Sequence, residues 1–217
     1  MSRLGRAEVE AARLEVLAAG SAFKASVFVA RPGELALVVK DVRGTNALWR
    51  PFARTLLRRE ERVLERLAGL EGVPRLLGRL DRDAIALSRV EGAPLSYETA
   101  AGASSDFFER LDALVLAIHA RGVVHLDLRQ KRNVLVGPDG RPRIVDFGSA
   151  LRPRGPIARL LAPIDRFAAL KFRLKYRPES VGEREAARHR RFERIRRLWF
   201  VSRMRRRRPG DPRSHGA

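Results

Sequence analysis

Residues 125–148, HLDLRQKRNVLVGPDGRPRIVDFG, contain side chains that could hold a metal ion. Two apolar runs, NVLV and PRIV, flank the turn sequence GPDG and predict a β-hairpin. Asp127 and Asn133 precede the first predicted strand, and Asp146 ends the second. A hairpin would bring these three side chains together. Their oxygen atoms are the hard ligands that Mg²⁺ takes beside nucleotide phosphates and water.

The same segment resembles two motifs of the protein-kinase-like superfamily. HLDLRQKRN is similar to the catalytic loop of that superfamily, and VDFG is similar to its Asp-Phe-Gly metal motif. The resemblance implies that Asp127 positions or deprotonates an acceptor hydroxyl. It also implies that Asn133 and Asp146 hold Mg²⁺.

The first 90 residues extend the resemblance to the nucleotide site. ALVVKD is similar to the strand motif whose Lys contacts the nucleotide phosphates, which implies this role for Lys40. Glu60 in RREERVLERL is the best match to the helical Glu that orients this Lys, with Glu61 and Glu65 as competitors. LSRVEGAPL resembles the hinge, whose backbone at Ser88 to Val90 would contact the adenine ring.

The phosphate-covering turn departs from the family pattern. AAGSAFKAS contains one glycine, Gly20, where the family has three, and Gly20 is the candidate for phosphate contact. The predicted catalytic loop is also one residue longer than usual between Asp127 and Asn133, which puts the position of Asn133 in question. The chain is similar to RIO-type atypical kinases and to bacterial kinases that phosphorylate Kdo or heptose in lipopolysaccharide.

Three further positions have weaker signals. His125 is predicted to pack behind the catalytic loop, and His119 to lie at a helix end without a chemical role. Asp165 could resemble the helical Asp that braces the catalytic loop in this family. YRPE, residues 176–179, resembles an Ala-Pro-Glu motif but follows a helical run, and we interpret it as a coincidence.

These features predict an α+β, two-lobed protein-kinase-like fold with a trimmed second lobe. Its predicted divisions are an N-terminal nucleotide-binding lobe at 1–90, a catalytic lobe at 91–187, and a basic tail at 188–217. Residues 6–18 are expected to form a short amphipathic helix. The rest of the first lobe would be a small sheet with one inserted helix at about residues 51–70.

Composition bounds the remaining possibilities. The 217 residues carry a formal net charge of +20, with 45 Lys and Arg of which only five are Lys. No Cys is present, which excludes disulfides, thiolate metal sites and Cys nucleophiles. The N-terminus has no signal-peptide pattern, and no apolar run reaches the ~18 residues of a membrane span. We therefore expect a cytoplasmic protein, with peripheral attachment to the inner membrane as an alternative.

The basic tail predicts a partner surface at residues 188–208. Phe192, Ile195 and Trp199 lie on one helical stripe with Arg around it, a pattern suited to an anionic membrane surface. A last helix packed on the second lobe explains the stripe equally well. Nucleic acid is a weaker candidate, since no nucleic-acid module is recognisable.

The predicted activity is Mg²⁺-ATP-dependent transfer of the γ-phosphoryl group to a hydroxyl. The hydroxyl would belong to a protein Ser or Thr, or to a lipopolysaccharide core sugar. The alternatives are a non-catalytic pseudokinase and a nucleotide-binding scaffold whose basic tail binds membrane or nucleic acid. The single-glycine turn favours the pseudokinase, and the complete set of Lys, Asp, Asn and Asp opposes it.

Overall fold

The structure, a computed structural model, describes residues 5–192 and residue 194. These residues include eight strands and five α-helices of which both ends are described, which confirms the mixed helix and sheet class. The helices are α1 (Arg6–Ala11), α2 (Arg50–Arg66), α3 (Tyr97–Ala101), α4 (Phe107–Ala120) and α5 (Pro156–Tyr176). The strands are β1 (Arg13–Ala18), β2 (Ser26–Ala30), β3 (Leu37–Asp41), β4 (Leu76–Asp81), β5 (Ala84–Ser88), β6 (Ala93–Pro94), β7 (Val134–Val136) and β8 (Pro142–Ile144).

The first sheet has five antiparallel strands in the order β1-β2-β3-β5-β4. Strand β3 lies at its centre, where Lys40 is paired with Val27 of β2 and Ile85 of β5. Helix α2 enters the chain after β3 and packs against β4 and β5. The predicted sheet with one inserted helix is therefore confirmed.

The alternation of side chains along β3 decides where Lys40 points. Leu37 and Val39 lie in an apolar cluster with Phe28 and with Val9 of α1. Since successive side chains of a strand point to opposite faces, Lys40 lies on the other face, which carries α2. The pleat of one strand thus separates the apolar cluster under α1 from the side of the sheet that carries Lys40.

The prediction of one helix over residues 6–18 is wrong in its second half. Helix α1 ends at Ala11, and Arg13–Ala18 form the edge strand β1, which pairs with β2. Every residue of β1 is exposed, so burial of an apolar face does not select the strand. The free backbone edge of β2 selects the strand instead, because it offers hydrogen bonds that would stay unmade if α1 continued.

The second sheet is small and contains the predicted hairpin. Its order is β6-β7-β8, and Val134 of β7 is paired with Ile144 of β8. The turn sequence GPDG joins the two strands, and the backbone N–H of Gly140 donates to the carbonyl of Gly137 (2.9 Å). Helix α4 lies between β6 and β7 in the chain and ends before Gly122, whose φ of 72° favours glycine.

The chain divides into two compact units, Met1–Ala169 and Leu170–Ala217. Within the second unit, the guanidinium of Arg173 donates from Nε to Ser180 Oγ (3.1 Å) and from Nη2 to the Ser180 carbonyl (3.0 Å). A further helix covers residues 183–192. Among the described residues, no helix is both long and apolar enough to span a bilayer.

The predicted division at residue 90 is not tested by this partition and stays a prediction. The proposed amphipathic stripe of the tail lies mostly outside the described residues, which include Phe192 but neither Ile195 nor Trp199.

Candidate active site

Lys40 forms the centre of the candidate site. Its Nζ donates to Oε1 of Glu60 (2.6 Å) and to Oδ1 of Asp146 (2.7 Å). Burial disfavours the ammonium charge, but the two carboxylates outweigh burial, and the pKa of Lys40 is raised. Of the three predicted helical carboxylates, Glu60 is the one that meets Lys40, while Glu61 binds Arg79 (2.8 Å).

Asp146 belongs to this site through an unusual backbone conformation. It lies two residues after the end of β8 and has φ 64° and ψ 73°, in the left-handed region. Its pKa is lowered, because the attraction of Lys40 and its hydrogen bonds outweigh the effect of partial burial. The side chain remains 45% exposed, so one side of the carboxylate faces solvent and is open to a ligand.

The hairpin places Asn133 next to Asp146 across the two strands. The backbone N–H of Val145 donates to the Asn133 carbonyl (2.9 Å), so Asn133 lies opposite the residue that precedes Asp146. The side-chain amide of Asn133 donates to the carbonyl (3.0 Å) and to Oδ2 (3.1 Å) of Asp127. The extra residue in the loop therefore does not separate Asn133 from Asp127.

The oxygen atoms of Asn133 and Asp146 suit Mg²⁺ as ligands. The Asn133 nitrogen is committed to Asp127, which leaves the amide oxygen as a possible ligand beside the Asp146 carboxylate. Among the described residues, no group of three or more His, Cys, Asp or Glu side chains could hold a metal. Mg²⁺ needs no such group, because it is commonly bound by one or two carboxylates together with substrate phosphates.

Asp165 of α5 holds the backbone before Asp127. Its carboxylate accepts from the N–H of His125 (2.7 Å) and from the N–H of Leu126 (2.8 Å). Leu126 has φ 68°, a left-handed conformation that costs a branched residue free energy and needs outside support. Asp165 is 1% exposed and supplies that support, as its weak sequence signal suggested.

His125 packs behind the loop, as predicted. Its ring is fully buried, lies 4.7 Å from the ring of Phe147, and its Nε2 lies 3.1 Å from the Val145 carbonyl. The Nδ1 atom accepts from the backbone N–H of Asp127 (3.3 Å), which assigns the ring proton to Nε2. Burial lowers the pKa of His125, so the neutral ring is favoured.

The hinge segment has fewer open donors than the sequence predicts. The backbone N–H of Ser88 donates to the Arg75 carbonyl (2.8 Å), and that of Arg89 donates to the Ala36 carbonyl (3.4 Å). Val90 donates no backbone hydrogen bond to any described residue. Of the two predicted adenine contacts, Val90 thus retains a donor for a ligand, whereas the Ser88 N–H does not.

Gly20 lies at the start of the β1–β2 turn. A Cβ at this position would lie 3.1 Å from the Ser26 nitrogen, so the close approach of the two strands favours glycine. The turn is anchored to the segment before α2, since the N–H of Asn46 donates to the Ala22 carbonyl (3.0 Å) and Phe23 packs on Trp49. Ser26 pairs with Asp41, the neighbour of Lys40, so the turn adjoins the Lys40 end of β3.

Two contacts of the site were not predicted from the sequence. The amide of Gln130 donates to both carboxylate oxygens of Asp127 (2.8 and 2.6 Å). Arg59 donates from Nη2 to the Gly148 carbonyl (2.7 Å), and a Cβ on Gly148 would lie 3.9 Å from Lys40 Nζ. The only sequence signal for either was adjacency, since Gln130 follows Asp127 by three positions and Arg59 precedes Glu60.

Comparisons with known proteins bear on the fold of the chain. No protein-family profile matches the chain. A 104-residue segment is 31% identical to the rice (Oryza sativa subsp. japonica) CBL-interacting protein kinase 16, covering 45% of this chain and 23% of that protein. The chain therefore spans less than a quarter of this curated relative.

Solved structures give broader coverage at lower identity. A Rio2 kinase from Chaetomium thermophilum, in an ADP/Mg²⁺-phosphoaspartate complex, superposes with a TM-score of 0.58 at 18% identity. That match covers 79% of this chain and 58% of the Rio2 chain. A second Rio2 structure from the same organism gives a TM-score of 0.57 at 16% identity, covering 76% and 58%. The chain therefore has a protein-kinase-like fold.

Proposed function

We propose that this chain is a Mg²⁺-ATP-dependent phosphotransferase. The observation that carries the proposal is the contact of Lys40 with both Glu60 (2.6 Å) and Asp146 (2.7 Å). Burial of an ammonium and its two carboxylate partners carries a desolvation cost, so the pair contributes little net stability. The position of Lys40 beside a partly exposed Asp suits binding of nucleotide phosphates. The Rio2 structure described with ADP/Mg²⁺ supports the same ligands.

In the proposed reaction, the oxygen of an acceptor hydroxyl forms a bond to the γ-phosphorus of ATP. The bond between that phosphorus and the β–γ bridging oxygen breaks, and ADP leaves. Asp127 orients the hydroxyl and takes up its proton, while Lys40 binds the phosphates. Asn133 and Asp146 would hold Mg²⁺, which neutralises phosphate charge when bound. Positioning and charge neutralisation supply most of the catalysis.

We propose an alcohol hydroxyl as acceptor, on a protein Ser or Thr or on a lipopolysaccharide core sugar. The rice relative is called a protein kinase, which supports the first acceptor class. The trimmed second lobe predicted from the sequence is similar to that of the lipopolysaccharide kinases, which supports the second. Incubating the protein with radiolabelled ATP and each acceptor class would separate the two.

The proposal is tested by replacing Asp127. Asp127→Ala should retain binding of ATP and Mg²⁺ but lower phosphoryl transfer about 10²–10⁴-fold, because it removes proton transfer and hydroxyl positioning. Asp106→Ala is the matched control, since it removes a half-exposed carboxylate that pairs with Arg110 and not with a residue of the site. Equal turnover by Asp127→Ala and the wild-type protein would contradict the assignment.

Non-catalytic nucleotide binding is the second candidate. It is favoured by the β1–β2 turn, which contains Gly20 as its one glycine and is anchored through Ala22 to Asn46. The same experiment decides between the candidates. Nucleotide binding without turnover by the wild-type protein would support a pseudokinase.

A further inference from the structure

A second charged region lies beside the candidate active site. Arg59 and Arg62 of α2, together with Arg152 and Arg154 of the segment after β8, line a cavity of about 260 Å³. All four lining residues are arginines, and none of them forms an ion pair with a carboxylate among the described residues. This arginine cluster therefore concentrates positive charge without a counter-charge in the part of the chain that the structure describes.

The positions of these arginines are fixed by the fold. Arg59 and Arg62 are one turn apart on α2, where residues three apart are neighbours on the helix surface. Leu151 exchanges two backbone hydrogen bonds with Val124 (both 2.9 Å), which anchors the chain directly before Arg152. Two separately anchored segments thus present guanidinium groups to one concavity.

The electrostatics of the arginine cluster favour a bound anion. Like charges gathered in one cavity repel one another, and an arginine cannot relieve the repulsion by losing its proton. In addition, Nε of Arg59 is buried and has no hydrogen-bond partner among the described residues. A dianion would neutralise the charge and accept several N–H groups.

Phosphate is the anion that fits best. Guanidinium groups match the oxygens of phosphate in forked pairs, and the phosphate dianion carries the larger charge that four arginines can balance. A volume of about 260 Å³ is below the ~300–1,000 Å³ of pockets for drug-sized ligands, so it suits a single phosphate group with little else.

The arginine cluster is also linked to the candidate active site. Arg59 donates from Nη2 to the Gly148 carbonyl (2.7 Å), and it directly precedes Glu60. The position of a Cβ on Gly148 lies 3.4 Å from Oδ1 of Asp146 and 3.7 Å from Oε2 of Glu60. An anion that bridges α2 to the segment after Asp146 would hold Glu60 and Asp146 in place around Lys40.

We propose that the arginine cluster binds a phosphate group and that this binding holds α2 against residues 147–154. Phosphate binding itself is independent of the proposed phosphotransferase activity, whereas its effect on the candidate active site rests on it. The phosphate could be a free anion or part of a phosphorylated acceptor, since the chemistry of recognition is the same.

The test compares two doubly substituted proteins that lose the same charge. Arg62→Gln with Arg154→Gln removes half of the arginine cluster and leaves the Arg59 contact to Gly148 intact. The control, Arg31→Gln with Arg58→Gln, removes two exposed arginines outside the cavity. Inorganic phosphate and glucose 6-phosphate are titrated by calorimetry into each protein and the wild type, at constant ionic strength set with NaCl.

The wild-type protein and the control should bind inorganic phosphate with affinities within twofold of each other, and the cluster variant at least tenfold more weakly. Phosphate should also slow hydrogen exchange in residues 147–154 of the wild type but not of the cluster variant. Tighter binding of glucose 6-phosphate than of phosphate would support an acceptor-borne group, and equal binding a free anion. Absence of saturable binding to the wild type, or equal binding by both variants, would overturn the proposal.

Nucleotide binding by the same proteins keeps the two proposals distinguishable. If ATP and Mg²⁺ bind to the cluster variant as they do to the wild type while phosphate does not, only the arginine cluster is affected. If the wild type binds phosphate but no nucleotide, the arginine cluster stands and the phosphotransferase proposal fails.

Discussion

The Lys40 centre and the arginine cluster are neighbouring regions with opposite charge arrangements. At the Lys40 centre, one buried ammonium is held by two carboxylates, Glu60 and Asp146. In the arginine cluster, four guanidinium groups line one cavity without a carboxylate partner among the described residues. The first region has its counter-charges within the protein, and the second lacks them.

This difference separates buried charges that depend on one another from exposed charges that water stabilises. The Glu60 side chain is only 4% exposed, so its negative charge depends on Lys40. Arg62, Arg152 and Arg154 are exposed, and water stabilises their charges at little cost. Substitutions should therefore destabilise the protein strongly in the first region and weakly, or not at all, in the second.

The largest effect is expected from Lys40→Met. It leaves Glu60 buried and unpaired, and removal of one partner of a buried ion pair costs about 3–5 kcal/mol. We expect a loss of this size in the free energy of unfolding, measured by urea denaturation. Lys40→Met combined with Glu60→Gln should recover most of the loss, since no buried charge is then unpaired. A loss of stability below about 1 kcal/mol for Lys40→Met would mean that the protein tolerates Glu60 without its ion pair to Lys40.

A smaller loss of stability is expected from Asp165→Ala. The substitution leaves the N–H groups of His125 and Leu126 without their acceptor, and each unsatisfied buried group costs about 1–3 kcal/mol. We expect a loss of about 2–4 kcal/mol in the same measurement. Asp106→Ala is the matched control, because Asp106 pairs with Arg110 at the exposed surface and should cost under about 1 kcal/mol. Equal losses for the two variants would show that Asp165 does not brace the loop.

The smallest effect is expected from Arg154→Gln in phosphate-free buffer. Because the substitution relieves repulsion within the arginine cluster, the free energy of unfolding should stay unchanged or rise by about 0.2–0.5 kcal/mol, as for other exposed like-charge pairs. Arg31→Gln, at an exposed loop position outside the cavity, is the control. A loss above about 1 kcal/mol for Arg154→Gln alone would show that the cluster has protein partners and would remove the contrast.

Most of the candidate site was predictable because its residues lie at fixed points of short local patterns. The turn GPDG between two apolar runs specifies a hairpin, and a hairpin necessarily brings Asn133 and Asp146 close together. A β-branched run predicted the strand that carries Lys40, and helical periodicity placed Glu60 on α2, while the resemblance to a known superfamily singled out both residues. The resemblance to a known superfamily assigned chemical roles to these positions, and these roles stay predictions.

Other features depended on contacts between segments that are distant in the sequence. A run of six residues is too short for its periodicity to distinguish a helix from a strand. Arg13–Ala18 form a strand because the edge of β2 offers backbone hydrogen bonds to them. The choice of Glu60 over Glu61 was likewise made by the relative rotation of α2 and β3.

By itself the sequence determined the hairpin and the strand and helix that carry Lys40 and Glu60, because these follow from local periodicity and turn chemistry. The tertiary structure alone decided which distant groups share a space. Asp165 reaches two backbone amides about 40 positions away, and Arg59 and Arg152 line one cavity although 93 positions separate them. Such pairs produce no periodic pattern in the sequence. Their burial and charge environment depend on how separate elements pack, and no local pattern encodes that packing.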